Sequence, residues 1–263
     1  MKFIIRISLL ITALSLVACM SMGGNQEEGF AQAQKFSDWS LIIDSSVFTE
    51  QMAQLDFDIK ENQDVADAIT PLLMKRLPAS GFHITGTPIV MLGGRFTRQD
   101  PPSDDEDIKL IYPGNTHKWF PKDINAPFVI TPVAEGTRKM QLGSAIRDLV
   151  KLDFFATGKQ IPVEYMADLP GEGVIFARAH GKTAYLSDGA SLTLNILAGL
   201  AGSGSNYEGD NGGVGIYFVE RKTGKVLFNF QDSISTKPNA ELFQRQLNKA
   251  FDIFATHFMN GTR

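Results

Sequence analysis

The chain reads as an α/β layered sandwich built on a mixed sheet, and three observations predict it. Apolar runs of β type alternate along the sequence with helical stripes. A β-hairpin followed by an amphipathic helix closes the chain. The 263 residues, 43% of them hydrophobic, suffice for one large core. Helices with apolar stripes must bury them, and a mixed sheet is the surface on offer.

The first eighteen residues form a leader rather than a structural element. Lys2 and Arg6 make a basic start, residues 7–17 an apolar run, and Ala18 a small residue ahead of Cys19. That order is the pattern of a secretory signal. The run falls short of the roughly 20 apolar residues a spanning helix needs. Leu16, Val17, Ala18 and Cys19 together resemble the lipobox of bacterial lipoproteins. The resemblance implies cleavage before Cys19 and acylation of its thiol, with the lipid bilayer as first partner. Met20, where an aspartate would signal inner-membrane retention by enterobacterial sorting rules, implies the outer membrane and a periplasm-facing domain. The organisation expected is a signal peptide at 1–18, a lipidated tether at 19–36 and one α/β domain at 37–263.

Residues 20–34 are small, polar or charged without periodicity and read as that tether. Order is expected near Trp39, with a buried strand over 40–44. Asp64 reads as the cap of a helix carrying Val65, Ile69, Leu72, Leu73 and Leu77 on one face. At Pro71 either the helix kinks, or Thr70 caps a second short helix with Pro71 at its first position. Gly81 ends the helical stretch, and 82–92 reads as a strand region broken by Pro88. Between 93 and 137 six prolines and the acidic run at 104–107 mark an irregular insertion, with short β signals at 108–112 and 128–132.

Leu142, Ala145, Ile146 and Leu149 recur at helical spacing, and 173–179 is the next strand. Two β-type runs, 214–220 and 226–230, flank a turn in which Gly224 supplies the residue that tolerates positive φ. Pro238 and Asn239 open a last helix striped by Phe243, Leu247, Ala250, Phe251, Phe254 and Phe258. The 19 phenylalanines mostly fall at such spacings, so core packing is their expected role.

Charge narrows the function classes. Loss of Lys2 and Arg6 with the leader takes the formal net charge from −4 to −6, which argues against a nucleic-acid binder. Once Cys19 is acylated no thiol remains for a disulfide or for zinc. His83, His117, His180 and His257 are too scattered for metal-ligand spacing, so neither metal nor cofactor is expected. His180-Gly181-Lys182-Thr183 has the tail of a phosphate-binding loop, but Phe176 stands where its first glycine belongs. It reads as a polar turn after a strand. The glycine-rich stretch 202–213 reads as a flexible connector, and the acidic run at 104–107 as a solvated loop. Ser203 and Ser205 lack the spacing of a nucleophile elbow.

One segment, 190–201, begins as a strand-like alternation and ends continuously apolar. Leu192, Leu194, Ile196, Leu197 and Leu200 make it either a core element or an interface for membrane or partner subunits. With the lipobox, the hairpin residues Glu220, Thr223, Gly224 and Phe228 and the closing helix, the chain resembles proteobacterial envelope lipoproteins. It is similar in layout to the periplasmic domains of the curli secretion channel lipoprotein and of cell-wall-synthase activator lipoproteins. The resemblance implies no catalytic residues and a non-enzymatic role through protein contacts, with an envelope partner or self-association. Two alternatives stand beside it: an oligomeric export component using 190–213, and a tethered hydrolase with His83 or His180 as base.

Overall fold

A computed structural model describes residues 26–51, 54–92, 117–121, 137–152, 155–184 and 210–259. The elements begin with α1 (Gln26–Ala33), β1 (Trp39–Gln51), β2 (Gln54–Asp58), α2 (Ile59–Ala79), β3 (Ile89–Leu92) and β4 (His117–Pro121). They continue with α3 (Thr137–Leu152), β5 (Gly173–Ala184), β6 (Asn211–Glu220), β7 (Val226–Ile234) and α4 (Ala240–Ile253). A 3-10 turn spans Val163–Met166, and α4 runs on into a π-turn at Phe254–Met259.

The strands form one seven-stranded sheet in the order β4-β2-β1-β5-β6-β7, with β3 alongside the first half of β1. β1 pairs in parallel with β5 and β3, and the remaining pairs are antiparallel. Helices cover both faces. On one, α1, α2 and α4 bury Phe30, Val65, Ile69, Leu73, Phe243, Leu247 and Phe251 against Leu41, Ile43, Ile175, Ile216 and Phe218. On the other, Leu142, Ala145, Ile146 and Leu149 of α3 meet Ile42, Val174, Phe176, Tyr217 and Val219. The mixed-sheet sandwich is therefore the fold, and its two faces follow the period-2 alternation of β1 and β5.

Helical structure is present within 20–34, where composition predicts none. Gln26 to Ala33 is a helix, and Phe30 sits at the centre of an aromatic cluster with Phe82, Phe228 and Phe254 at ring-centroid distances of 5.4, 5.2 and 5.5 Å. Gly29 lets this helix lie directly on β7: a Cβ there would meet the Leu227 carbonyl oxygen at 1.8 Å. A short helix with only Phe30 and Ala33 facing inward carries too little periodicity to announce itself.

The long helix also departs from expectation. Its cap is Asp58, whose carboxylate accepts from the N–H groups of Lys60 and Glu61, whereas Asp64 pairs with Lys60 at 2.7 Å. It runs unbroken through Pro71 and Pro78. Both prolines lie on the exposed face, as do Asp67 and Met74 four residues before them. The carbonyls that lose an N–H partner therefore face water, which removes most of the penalty. In 82–92, Ile84 makes a parallel bridge to Trp39 before Pro88 and β3 follows it, as the sequence predicts. β2 and β4 are additional strands that local pattern does not announce. The expected strands at 108–112 and 128–132 lie outside the described residues.

The late elements follow the sequence closely. Gly224 has φ +70 in the β6–β7 turn, and Asn239 caps α4 by accepting from the Leu242 N–H at 2.9 Å. The edge of β1 opposite β5 holds one device that the sequence conceals. β3 pairs with β1 as far as Ser45 and β2 from Thr49, leaving Val47 between them. Asn62 of α2 fills that gap, its Oδ1 accepting the Val47 N–H at 2.7 Å and its Nδ2 donating to the Val47 carbonyl at 2.9 Å.

Candidate functional site

Beyond the α3 contact, the same sheet face turns polar. Ile42 and Phe176 are followed at alternate positions by Asp44 and Ser46 on β1 and by Arg178 and His180 on β5. The parallel register puts Asp44 opposite Arg178 and Ser46 opposite His180. β6 answers with Gly215 and Gly213, and β7 with Gln231 and Ser233. Both glycines are closely covered: a Cβ on Gly215 would lie 3.0 Å from the Tyr217 ring, and one on Gly213 would lie 2.4 Å from the Asp232 carbonyl oxygen and 3.3 Å from His180 Cε1.

Asp44, Ser46 and Arg178 form one network, with His180 beside it. Arg178 Nε donates to Asp44 Oδ2 at 3.1 Å, and its Nη2 donates to Ser46 Oγ at 3.3 Å. Ser46 Oγ in turn donates to the same Asp44 oxygen at 3.3 Å. Asp44 is 1% exposed and the Arg178 side chain 13%. Burial pushes the Asp44 carboxyl up to about 7, a rise that the Arg178 charge and hydrogen bond and the Ser46 hydrogen bond only partly counter. Burial, reinforced by Arg178, holds the His180 imidazole well below its ordinary value, so it is neutral at pH 7.

Asp44 Oδ1, His180 Nδ1 and Gln231 Nε2 are buried on this face without a hydrogen-bond partner. Such groups cost about 1–3 kcal/mol each. Ser46, 1% exposed, closes a ring of hydrogen bonds with its neighbours instead of presenting a hydroxyl to solvent. Chemically the arrangement is a buried ion pair clamping two central strands, flanked by a neutral imidazole.

The candidate residues named above lie mostly elsewhere. Cys19 and the lipobox residues Leu16, Val17 and Ala18 lie outside the described residues, as do Leu192, Leu194, Ile196, Leu197 and Leu200 and the acidic run at 104–107. His180-Gly181-Lys182-Thr183 is not a turn but the interior of β5, paired with β1 on one side. Its backbone N–H groups belong to a ladder, not a phosphate cradle. Asn211, Gly212 and Gly213 likewise belong to β6 rather than to a connector. His83 is exposed, with its carbonyl accepting the Trp39 N–H at 2.8 Å. Nothing brings it to His180.

A shallow hollow of about 250 Å³ separates the N-termini of α2 and α4, lined by Asp58, Glu61, Asp64 and Asn239 among others. Among the described residues no group of three His, Cys, Asp or Glu side chains is placed to hold a metal. Nor, among them, is any helix long and apolar enough to cross a membrane. No family model matches the chain, nor does any curated protein or solved structure.

Proposed function

We propose that the protein is an outer-membrane lipoprotein facing the periplasm, acting without catalysis through protein contacts in envelope assembly or transport. The supporting observation is where the folded domain begins relative to Cys19. α1 starts at Gln26 and is fastened into the core by Phe30 and Gly29. Seven residue steps of at most about 3.6 Å each allow a reach of about 25 Å, so acyl chains on Cys19 hold the whole domain near the bilayer surface. One acyl chain binds marginally and several bind stably, at about 0.8 kcal/mol per buried CH₂.

The test is fractionation of cells expressing Cys19→Ala beside the unaltered chain, with cross-linking of the latter in intact cells. The expected result is release of the variant from the membrane pellet and a cross-linked envelope partner or self-product for the parent. A variant that still pellets refutes the anchor, and a parent that yields no adduct refutes the contact role.

A further inference from the structure

We propose that Phe155 rests in the lipid headgroup region and fixes how the anchored domain meets the bilayer. This rests on the lipoprotein reading and adds the surface that faces the lipid. Large apolar side chains exposed among the described residues are Met74, Phe155 and Val163, and Phe155 is the most exposed at 60%. A single exposed apolar residue is ordinary in itself. Its location is what carries the inference.

Phe155 leads a turn tied to the start of the anchored chain. Ala156 is fully buried, and the Thr157 N–H and hydroxyl reach Asn229 Oδ1 at 3.1 and 2.6 Å. Thr157 Oγ1 also lies 3.1 Å from Gln26 Oε1, and Gln26 Nε2 donates to Asn229 Oδ1 at 3.4 Å. The Gly158 N–H donates to the Val226 carbonyl at 2.7 Å. The exposed ring is therefore two residues from a contact with the residue where the chain from Cys19 enters the domain. The acyl chains cannot lie farther than about 25 Å from that corner.

In sequence the ring lies between Lys151 and Lys159, both exposed, and Lys151 Nζ is 3.8 Å from the Asp148 carboxylate. With Lys151 paired, Lys159 alone gives little pull toward an anionic surface, so the contact is expected to be apolar and to survive high salt. Phenylalanine suits that role because its rigid ring adds apolar area at little entropic cost.

The experiment uses the full-length, lipidated protein in vesicles of phosphatidylethanolamine and phosphatidylglycerol, carrying either Phe155→Trp or Met74→Trp. Shallow-brominated lipid is the quencher, and the parent signal is subtracted. Expected is loss of fluorescence at 155 but not at 74, unchanged by added salt, with slowed amide exchange at 155–159 in the unsubstituted protein. If the protein floats with vesicles while both tryptophans stay bright and exchange is unchanged, the proposal falls and the anchor stands. Quenching that salt abolishes overturns the apolar contact. If lipidated protein fails to float, the anchor fails and the proposal with it.

Discussion

Replacing Asn62 by alanine tests how the central strand is held along its shared edge. Asn62 is fully buried, and its amide makes four bonds: two with the Val47 backbone, one donated to the Asp58 carbonyl at 2.9 Å, and one accepted from Ser45 Oγ at 3.0 Å. Truncation leaves the N–H and carbonyl of Val47 inside the sheet, and among the described residues no strand stands opposite to take them. Each of the two orphaned groups costs about 1–3 kcal/mol, so the expected loss is about 2–6 kcal/mol. That is a large part of the 5–15 kcal/mol typical of a domain. Urea unfolding followed by Trp39 fluorescence reads it, because the indole is buried and stacked on Phe36 at 5.3 Å. The midpoint should fall with an unchanged slope. Asn62→Asp keeps the acceptor for the Val47 N–H but sets a carboxylate against two carbonyls. It should be at least as damaging at neutral pH and partly recover in acid, where the protonated carboxyl donates again. A cost below about 0.5 kcal/mol for Asn62→Ala, within the range of an inert surface change, refutes the bridging role.

Gly29→Ala should cost about 1–3 kcal/mol by driving a methyl group into the Leu227 carbonyl, and limited proteolysis should then cut within 26–36. Gly224→Ala combines an unfavourable φ of +70 with a Cβ only 1.9 Å from the Ile161 carbonyl oxygen, so a fall in thermal midpoint is expected. For Asp44, raised from 3.8 to about 7 in the fold, stability is full below 3.8 and lost as pH rises to 7, roughly 4 kcal/mol at about 1.4 per unit. For His180, lowered from 6.5, stability is full above 6.5 and lost as pH falls toward its folded value. The two slopes oppose each other, so urea titrations should show Asp44→Asn losing stability below pH 6.5 and His180→Gln gaining it below pH 7; slopes like the parent's in both variants would contradict the burial argument.

Local pattern carries the elements whose own residues specify them. The stripe of Leu142, Ile146 and Leu149, the turn at Gly224 and the Asn239 cap are read directly because period, φ and cap chemistry act within a few residues. α1 escapes such a reading because it is helical by docking: Phe30 finds Phe82, Phe228 and Phe254, all distant in sequence. Pro71 looks like a breaker until the exposed side of the helix is known. The polar site is harder still. Asp44 and Ser46 follow Ile42, and Arg178 and His180 follow Phe176, at matching alternate positions, which is a visible signal. What unites them is an in-register parallel pairing across 134 residues, and register is a tertiary property.

That register also explains why the site is arranged as it is. A sheet covered on both faces is expected to be apolar on both, and the half of β1 and β5 under α3 obeys this with Ile42, Val174 and Phe176. Past Asp44 charge enters one face, while on the other Val47, Ala177 and Ala179 remain in the core and the buried Ser45 hydroxyl is bonded to Asn62. A buried ion pair is weak evidence for stability, and apolar residues of similar volume often serve as well or better. Unpartnered atoms at Asp44, His180 and Gln231 add further cost. The apolar face therefore supplies the stability, through Trp39, Phe82, Phe218 and Phe254 packed at centroid distances of 4.6 to 6.3 Å. The polar face draws on it, so substitutions there should move pH response more than they move the fold.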